Sequence, residues 1–374
     1  MNRREFLRLS AAMGGCLAGG GLLSACDWEE YLALLGVRIV DPHAHPDQFY
    51  TDNPDPAAID GSSTLESIVG IGMVASSFSA IGDLRYLDTG IPGVGEYAGT
   101  NFQLAKVLAM ADAGRVAKVL KASDVPDVSG TGTPPGAILS IEGGDPLTSD
   151  SVGADPAWLA SRRLDEYYDL GVRIVTILHY RHNDLGDAQS LRYPDDPTPP
   201  HGGLTPLGAH VVARMQEKGM LVDVAHASPR TLADVVELAK AARKPIVDSH
   251  TGLHPGGDLT HFKRLRTLEE MEGIASTGGV VCSWPYAFQT DVVSRMTFAD
   301  WAREIVAMKD AIGMAHVGLG TDGGGRLPAM IEGYRGVQDL GRLAVEMSRA
   351  GLSVRDIRAF FGGNLLRVLK SCIG

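Results

Sequence analysis

Asp41-Pro42-His43-Ala44-His45-Pro46-Asp47 follows the mostly apolar run Leu34 to Val40. Val37 and Ile39 read as part of a short buried strand, which the two prolines bring to an end. Side chains two apart on an extended chain point to the same side. His43 and His45 are therefore expected to project together from the strand's carboxyl end, spaced to share one metal ion. A lone His-x-His in a turn is more often ordinary polar sequence. The rest of the chain changes that balance, because it keeps ending strands in the same way.

Working outward, Ile68 to Ser76 reads as a second strand and Ala137 to Ile141 as a third, with Glu142-Gly143-Gly144 at its end. Val172 to Leu178 is a fourth strand ending at His179, and Met220 to Val224 a fifth ending at Ala225-His226. Pro245 to Asp248 is a sixth, ending at Ser249-His250. Gly278 to Cys282 makes a seventh, and Val317 to Gly320 an eighth that runs into Thr321-Asp322-Gly323-Gly324-Gly325. Helical spacing of apolar residues fills the intervals: Phe102 to Lys121, Trp158 to Leu170, Leu204 to Lys218, Thr231 to Ala242 behind a Ser228 cap, a helix through Ala275, Phe298 to Ile312, Gly336 to Arg349 and Val354 to Leu369. Eight apolar strands alternating with helices predict an α/β chain, a (β/α)8 TIM-type barrel, whose chemistry lies at the carboxyl ends of the strands. Asp52 to Ser63, Arg181 to Gly203 and Gly252 to Arg266 read as loops, the last two at the rim.

Composition is consistent with one large core: 374 residues, 44% hydrophobic and 21% charged. The net charge of -11 argues against nucleic acid as a partner, which needs a basic face. Four cysteines, Cys16, Cys26, Cys282 and Cys372, form neither a disulfide framework nor a zinc-ribbon spacing. Any metal must be held by histidines and carboxylates.

The amino terminus reads as a targeting segment. Asn2-Arg3-Arg4-Glu5-Phe6-Leu7 resembles a twin-arginine export signal, and Leu23-Ser24-Ala25-Cys26 resembles a bacterial lipoprotein box. The expected division is a signal over residues 1–25, a lipidated Cys26, and one barrel domain over 26–374. The apolar stretch is short and studded with glycines, below the roughly 20 apolar residues that span a bilayer. The mature chain is thus expected to be exported and held on the extracytoplasmic face of the membrane by lipid alone. Losing Arg3, Arg4 and Arg8 with Glu5 takes the charge from -11 to -13.

The strand ends collect His43, His45, Glu142, His179, His226, His250 and Asp322, five of them among the chain's eleven histidines. Imidazole and carboxylate donors suit zinc and similar divalent ions. Two ions are expected, with Glu142 as the bridge because it is the only glutamate of the set. His43 and His45 would serve one ion, His226 and His250 the other. A water between the ions would be acidified to a nucleophilic hydroxide. Asp322 would accept the nucleophile's proton, hold a metal, or both, and His179 would polarise the substrate or stabilise an oxyanion.

Ser140-Ile141-Glu142-Gly143-Gly144, Gly203 to Gly208 (GLTPLG), Leu221 to His226 (LVDVAH), Ser249-His250, His316 to Asp322 (HVGLGTD) and Gly363 to Val368 (GNLLRV) together resemble the membrane (renal) dipeptidases, over about residues 37 to 370. The resemblance implies a binuclear zinc hydrolase on a barrel that cleaves dipeptides and sometimes related amides. It makes Glu142 the bridge, His226 and His250 the ligands of one zinc, His43 the first ligand of the other, and Asp322 the catalytic acid/base. His179 matches a substrate-contacting histidine, with Asn183 in the same motif, and Arg264 matches an arginine of a family motif. Three positions depart from the family. His45 replaces an aspartate, Asp145 stands where a histidine or small residue is common, and His254 occupies the place of an arginine expected to hold the substrate's carboxylate. Metal chemistry carries over, while weak selection for a free carboxylate is expected.

Three functions follow in order of preference. The first is a hydrolase of small peptides or amides. The second is an amidohydrolase-type lactonase, esterase or amide hydrolase acting on a non-peptide substrate. The third is a metal-binding lipoprotein without catalysis. The expected partner is a small-molecule substrate, and a homo-oligomer is compatible with the sequence.

Overall fold

The computed structural model describes residues 31–374 apart from 34, 52–62, 84–93, 129–131, 150–152, 190–199, 257–263, 290–292, 326 and 328. The expected export signal, Cys26, His261, most of the first loop and the middle of the long rim loop lie outside the described residues.

Eight parallel strands follow one another in chain order around the sheet. They are β1 (Val40–Asp41), β2 (Ala75–Ile81), β3 (Gly136–Glu142), β4 (Val172–Thr176), β5 (Leu221–Asp223), β6 (Val247–Thr251), β7 (Val280–Ser283) and β8 (Val317–Leu319). A two-residue strand, Ala117–Lys118, flanks β3. β8 returns to β1 at the carboxyl ends: Ala44 and Gly323 form a parallel bridge, and Asp322 N–H donates to the His43 carbonyl at 3.0 Å. The sheet is a nearly closed (β/α)8 barrel, and its last stitch is made by the residues that follow β1 and β8 and carry His43, His45 and Asp322.

The helices are α1 (Leu65–Gly70), α2 (Glu96–Asp112), α3 (Pro156–Leu170), α4 (Pro206–Lys218), α5 (Pro229–Ala242), α6 (Leu268–Ser276), α7 (Phe298–Ile312), α8 (Leu340–Arg349), α9 (Val354–Arg358) and α10 (Asn364–Ile373). Their starts are written locally. Asp155, Thr205 and Ser228 each cap a helix whose first residue is proline, a position where the missing N–H costs nothing. Thr267 with Glu270 and Thr297 with Asp300 close capping boxes on α6 and α7.

Two apolar layers hold the barrel. The larger lies between strands and helices. The smaller fills the amino-terminal mouth, where Leu365, Val368 and Leu369 of α10 pack on Val40, Ile138, Leu221 and Val280. One end of the barrel is therefore plugged by the chain's own last helix, which leaves the carboxyl end for chemistry.

Three elements differ from the sequence expectation, the first being the helix expected over Phe102 to Lys121, which ends at Asp112 and gives way to the strand Ala117–Lys118. Ile68 to Ser76 is not a strand: α1 occupies Leu65–Gly70, and β2 runs over Ala75–Ile81. Thr64 and Ser67 close a capping box that starts α1. The expected single helix from Val354 is broken by a wide turn at Ala359–Gly363.

Candidate metal centre

The barrel brings all six expected ligands to one place. His43 and His45 follow β1, Glu142 ends β3, His226 lies just past β5, His250 is within β6, and Asp322 lies just past β8. Each is buried. Three groups have donor atoms that all lie within 4.8 Å of one another: His43, His45 and Glu142; His43, His250 and Asp322; Glu142, His226 and His250. His43 belongs to two of them, and its ring stacks on that of His250 at 4.1 Å.

Glu142 sits at the middle. Its Oε1 lies 3.0 Å from His226 Nε2, 3.2 Å from His43 Nε2 and 3.6 Å from His250 Nε2. Its Oε2 lies 3.2 Å from His45 Nε2. Asp322 Oδ1 stands 3.7 Å from His45 Nε2 and 3.9 Å from His43 Nε2.

The chemistry of these contacts asks for cations. His45 Nδ1 lies 2.7 Å from the Ser79 carbonyl oxygen, which can only accept, so Nδ1 carries a proton. Nε2 then faces a carboxylate oxygen across the site. Two acceptors at 3.2 Å repel unless a proton or a metal ion lies with them. His226 and His250 repeat the problem, with their Nε2 atoms 3.1 Å apart. The donor set fits divalent ions of the zinc type.

Backbone strain accompanies the site. His226 and Asp322 have φ of 64° and 49°, in the left-handed region that non-glycine residues rarely adopt. Gly324, at φ 86°, passes so close to β1 that a Cβ would lie 2.2 Å from the His45 carbonyl oxygen. The glycine run after Asp322 is there to let the two strand ends touch.

Electrostatics sort the titratable groups. Burial would raise Glu142, but His179, His43 and the contact with His226 hold it well below the ordinary carboxylate range. Burial pulls His43 down, and the charges of Glu142 and Asp322 reverse this to lift it to about 9. His226 is pushed well below its usual value by burial and by Arg264, and His250 by burial and by His43. Burial raises Asp322 against the pull of His43. Without metal, a basic His43 faces neutral His226 and His250.

The other expected site residues separate. His179 is buried beside the cluster, its Nε2 3.5 Å from Glu142 Oε1. Arg264 donates from Nη2 to the His250 carbonyl at 2.9 Å, lies over the Trp284 ring at 5.3 Å, and leaves Nη1 buried with no partner among the described residues. Asn183 is spent on its own loop: Nδ2 donates to Asp145 at 3.0 Å and to the Ile177 carbonyl at 3.2 Å, and Oδ1 accepts from Leu185 N–H at 2.9 Å. His254 turns to its own loop as well, with Nδ1 accepting from Gly256 N–H at 3.2 Å.

Sequence reasoning missed Ser79, Asp83, Tyr180 and Trp284. The Tyr180 ring lies 4.0 Å from His179 and the Trp284 ring 5.5 Å from His250. Asp83 follows β2 and lies 2.6 Å from His179 Nδ1. A correctly placed β2 would have shown it as one more polar residue past a strand end.

The family described as membrane dipeptidase (peptidase family M19) matches residues 100–372. The chain belongs to the membrane dipeptidase family. Among named members, dipeptidase aclJ of Aspergillus oryzae is 32% identical over 209 residues, covering 54% of this chain and 46% of that protein. A Schizosaccharomyces pombe protein named as an uncharacterized dipeptidase is 31% identical over 219 residues, covering 55% and 48%. The chain spans about half the length of the curated relatives it matches. Solved structures agree on the fold. The probable dipeptidase PvdM from Pseudomonas aeruginosa superposes with a TM-score of 0.72 at 19% identity, covering 92% of this chain and 98% of that one. A metallo peptidase from Rhodobacter sphaeroides, liganded with a phosphinate mimic of the dipeptide L-Ala-D-Ala, gives a TM-score of 0.72 at 19% identity, covering 90% and 99%.

Proposed function

We propose that this membrane dipeptidase family member is an exported, lipid-anchored metal-dependent hydrolase of dipeptides and related small amides, with two zinc ions. The observation that carries the reading is the position of Glu142, whose two oxygens face different histidines: Oε2 toward His45 and Oε1 toward His226, His43 and His250. A carboxylate so shared is the expected bridge of a two-ion site. The names of the relatives, and the dipeptide mimic bound to the Rhodobacter protein, support a dipeptide as substrate.

Bound among these groups, the ions would supply concentrated positive charge and an acidified water. The chain's own residues do the rest. Asp322, raised above the usual carboxylate range by burial, receives a proton at its carboxylate from the attacking water and returns it to the leaving amine. His179 presents Nε2 to the reacting carbonyl oxygen. Arg264 offers the unpartnered Nη1 to the dipeptide's carboxylate, a charge-assisted contact that a buried guanidinium otherwise lacks. Tyr180 and Trp284 form aromatic walls that limit the site to small substrates.

A second reading, a lactonase or esterase, rests on His254 standing where the family's arginine is expected. The two are separated by kcat/KM on free dipeptides, their carboxyl-terminal amides and lactones. The dipeptidase reading expects free dipeptides to be preferred, and a preference for lactones would replace it with the second.

A further inference from the structure

Beside the metal groups lies a buried carboxylate that the reading above does not use. Asp83 is fully buried, and among the described residues neither a lysine nor an arginine pairs with it. Both of its oxygens are aimed at one segment. Oδ1 lies 2.6 Å from His179 Nδ1, and Oδ2 accepts from Tyr180 N–H at 3.3 Å. The opposite ring nitrogen, His179 Nε2, faces Glu142 Oε1 at 3.5 Å. The imidazole therefore spans from Asp83 to the edge of the site.

The backbone is built to hold this arrangement. β2 and β3 run in parallel register to the pair Ile81 and Glu142, and Gly82 N–H then donates to the Glu142 carbonyl at 2.6 Å. A Cβ at Gly82 would lie 2.0 Å from the Gly143 carbonyl oxygen, so only glycine lets the two strand ends pass this closely. The next residue, Asp83, is thereby delivered to the His179 ring. Tyr180 and His226 flank that ring at 4.0 Å and 4.6 Å between centroids.

We propose that Asp83 is the positioning residue of His179: Oδ1 accepts from Nδ1–H and fixes the ring plane, so that Nε2–H is the donor aimed at the substrate's carbonyl oxygen. A carboxylate can only accept here, so it keeps a proton on Nδ1, leaves Nε2–H to donate toward substrate, and rejects a flipped ring, which would set carbon against Oδ1. The proposal rests on the reading of His179 as the substrate-polarising group. The plainer alternative is that Asp83 merely satisfies the Tyr180 N–H and packs the loop.

The test uses the zinc-loaded enzyme labelled with 15N in its imidazoles, with the His179 signals assigned by their loss in His179→Gln. The wild-type spectrum should show both ring nitrogens protonated, with Nε2 free of metal. In Asp83→Asn the amide can accept from only one of the two N–H groups, so the His179 Nδ1 signal should shift. For dipeptide hydrolysis, kcat should fall about ten- to a hundredfold, with KM changed less than about threefold. An unprotonated ring nitrogen in the wild type, an unmoved Nδ1 signal, or an unchanged kcat in Asp83→Asn would each overturn the proposal. Should the variant fail to fold, the wild-type spectrum still decides. His179→Ala separates the two claims. Full activity there sinks the role of His179 itself, whereas lost activity there with an unimpaired Asp83→Asn sinks only the role of Asp83.

Discussion

Nε2 of His226 lies 3.1 Å from Nε2 of His250, and Glu142 Oε1 is within 3.6 Å of both. Burial drives both imidazoles to the neutral state, so their lone pairs meet each other and a carboxylate with no proton of their own to share. Such a cluster is costly to leave bare and favourable to fill with a cation. The site is organised around ions that the donors await.

Glu142→Ala should weaken both metal sites together. Its two oxygens lie within 3.6 Å of histidines of the β1 end and of the β5 and β6 ends. Calorimetric titration with zinc should show each affinity reduced more than about a hundredfold, since a ligand is lost where outer groups alone are worth ten- to a hundredfold. Loss of one ion with the other unaffected would show that Glu142 serves a single site.

Metal affinity should rise with pH. Against the pull of burial, Glu142 and Asp322 lift His43 to about 9 in the metal-free protein, and a ligating imidazole must give up that proton. Below this value each pH unit should gain about tenfold in apparent affinity for one displaced proton, and above it the curve should flatten. Competition with a chromophoric chelator measures the slope. A flat profile from roughly pH 6 to 9 would mean that His43 is not a ligand.

Selection for a free carboxylate should reside in Arg264 rather than in His254. The first holds a buried donor with no partner among the described residues, and the second is engaged by Gly256. A charge-assisted hydrogen bond is worth about 1.5–3 kcal/mol, or about one to two powers of ten. Arg264→Ala should lower kcat/KM by that factor for a dipeptide but not for its carboxyl-terminal amide. His254→Arg should move either by less than about threefold. If His254→Arg raised the free dipeptide alone, the carboxylate would lie nearer that position.

Export should fail when Arg3 and Arg4 are replaced by lysine, and Cys26→Ala should release the exported protein from the membrane. Fractionation of cells that express each variant checks this. Unchanged export in the first, or unchanged attachment in the second, counts against the signal assignment.

The metal cluster was legible because the strand/helix alternation assigns each polar residue to a strand end, and one end of a barrel collects them all. β2 was not legible, for a physical reason. Its sequence Ala-Ser-Ser-Phe-Ser-Ala-Ile lines a polar barrel interior, where the Ser140 hydroxyl lies 2.5 Å from that of Ser77 and 2.6 Å from that of Ser79. A strand whose buried face is serine lacks the apolar signature, so the glycine-broken apolar run before it reads as the strand instead. Asp83 went unseen with it. Arg264 was singled out by motif alone. That its Nη1 has no partner among the described residues depends on the packing of its loop against β6 and Trp284, which leaves no trace in the motif.

The central claim is that Glu142 joins two ions into one hydrolytic site. Its most direct test is to titrate metal-free enzyme with zinc while recording bound metal and hydrolysis of a free dipeptide in the same samples. The account predicts that activity climbs to a plateau at two ions per chain and falls away when chelator removes them. A plateau at one ion, or two tightly bound ions with no hydrolysis of any free dipeptide, would contradict it.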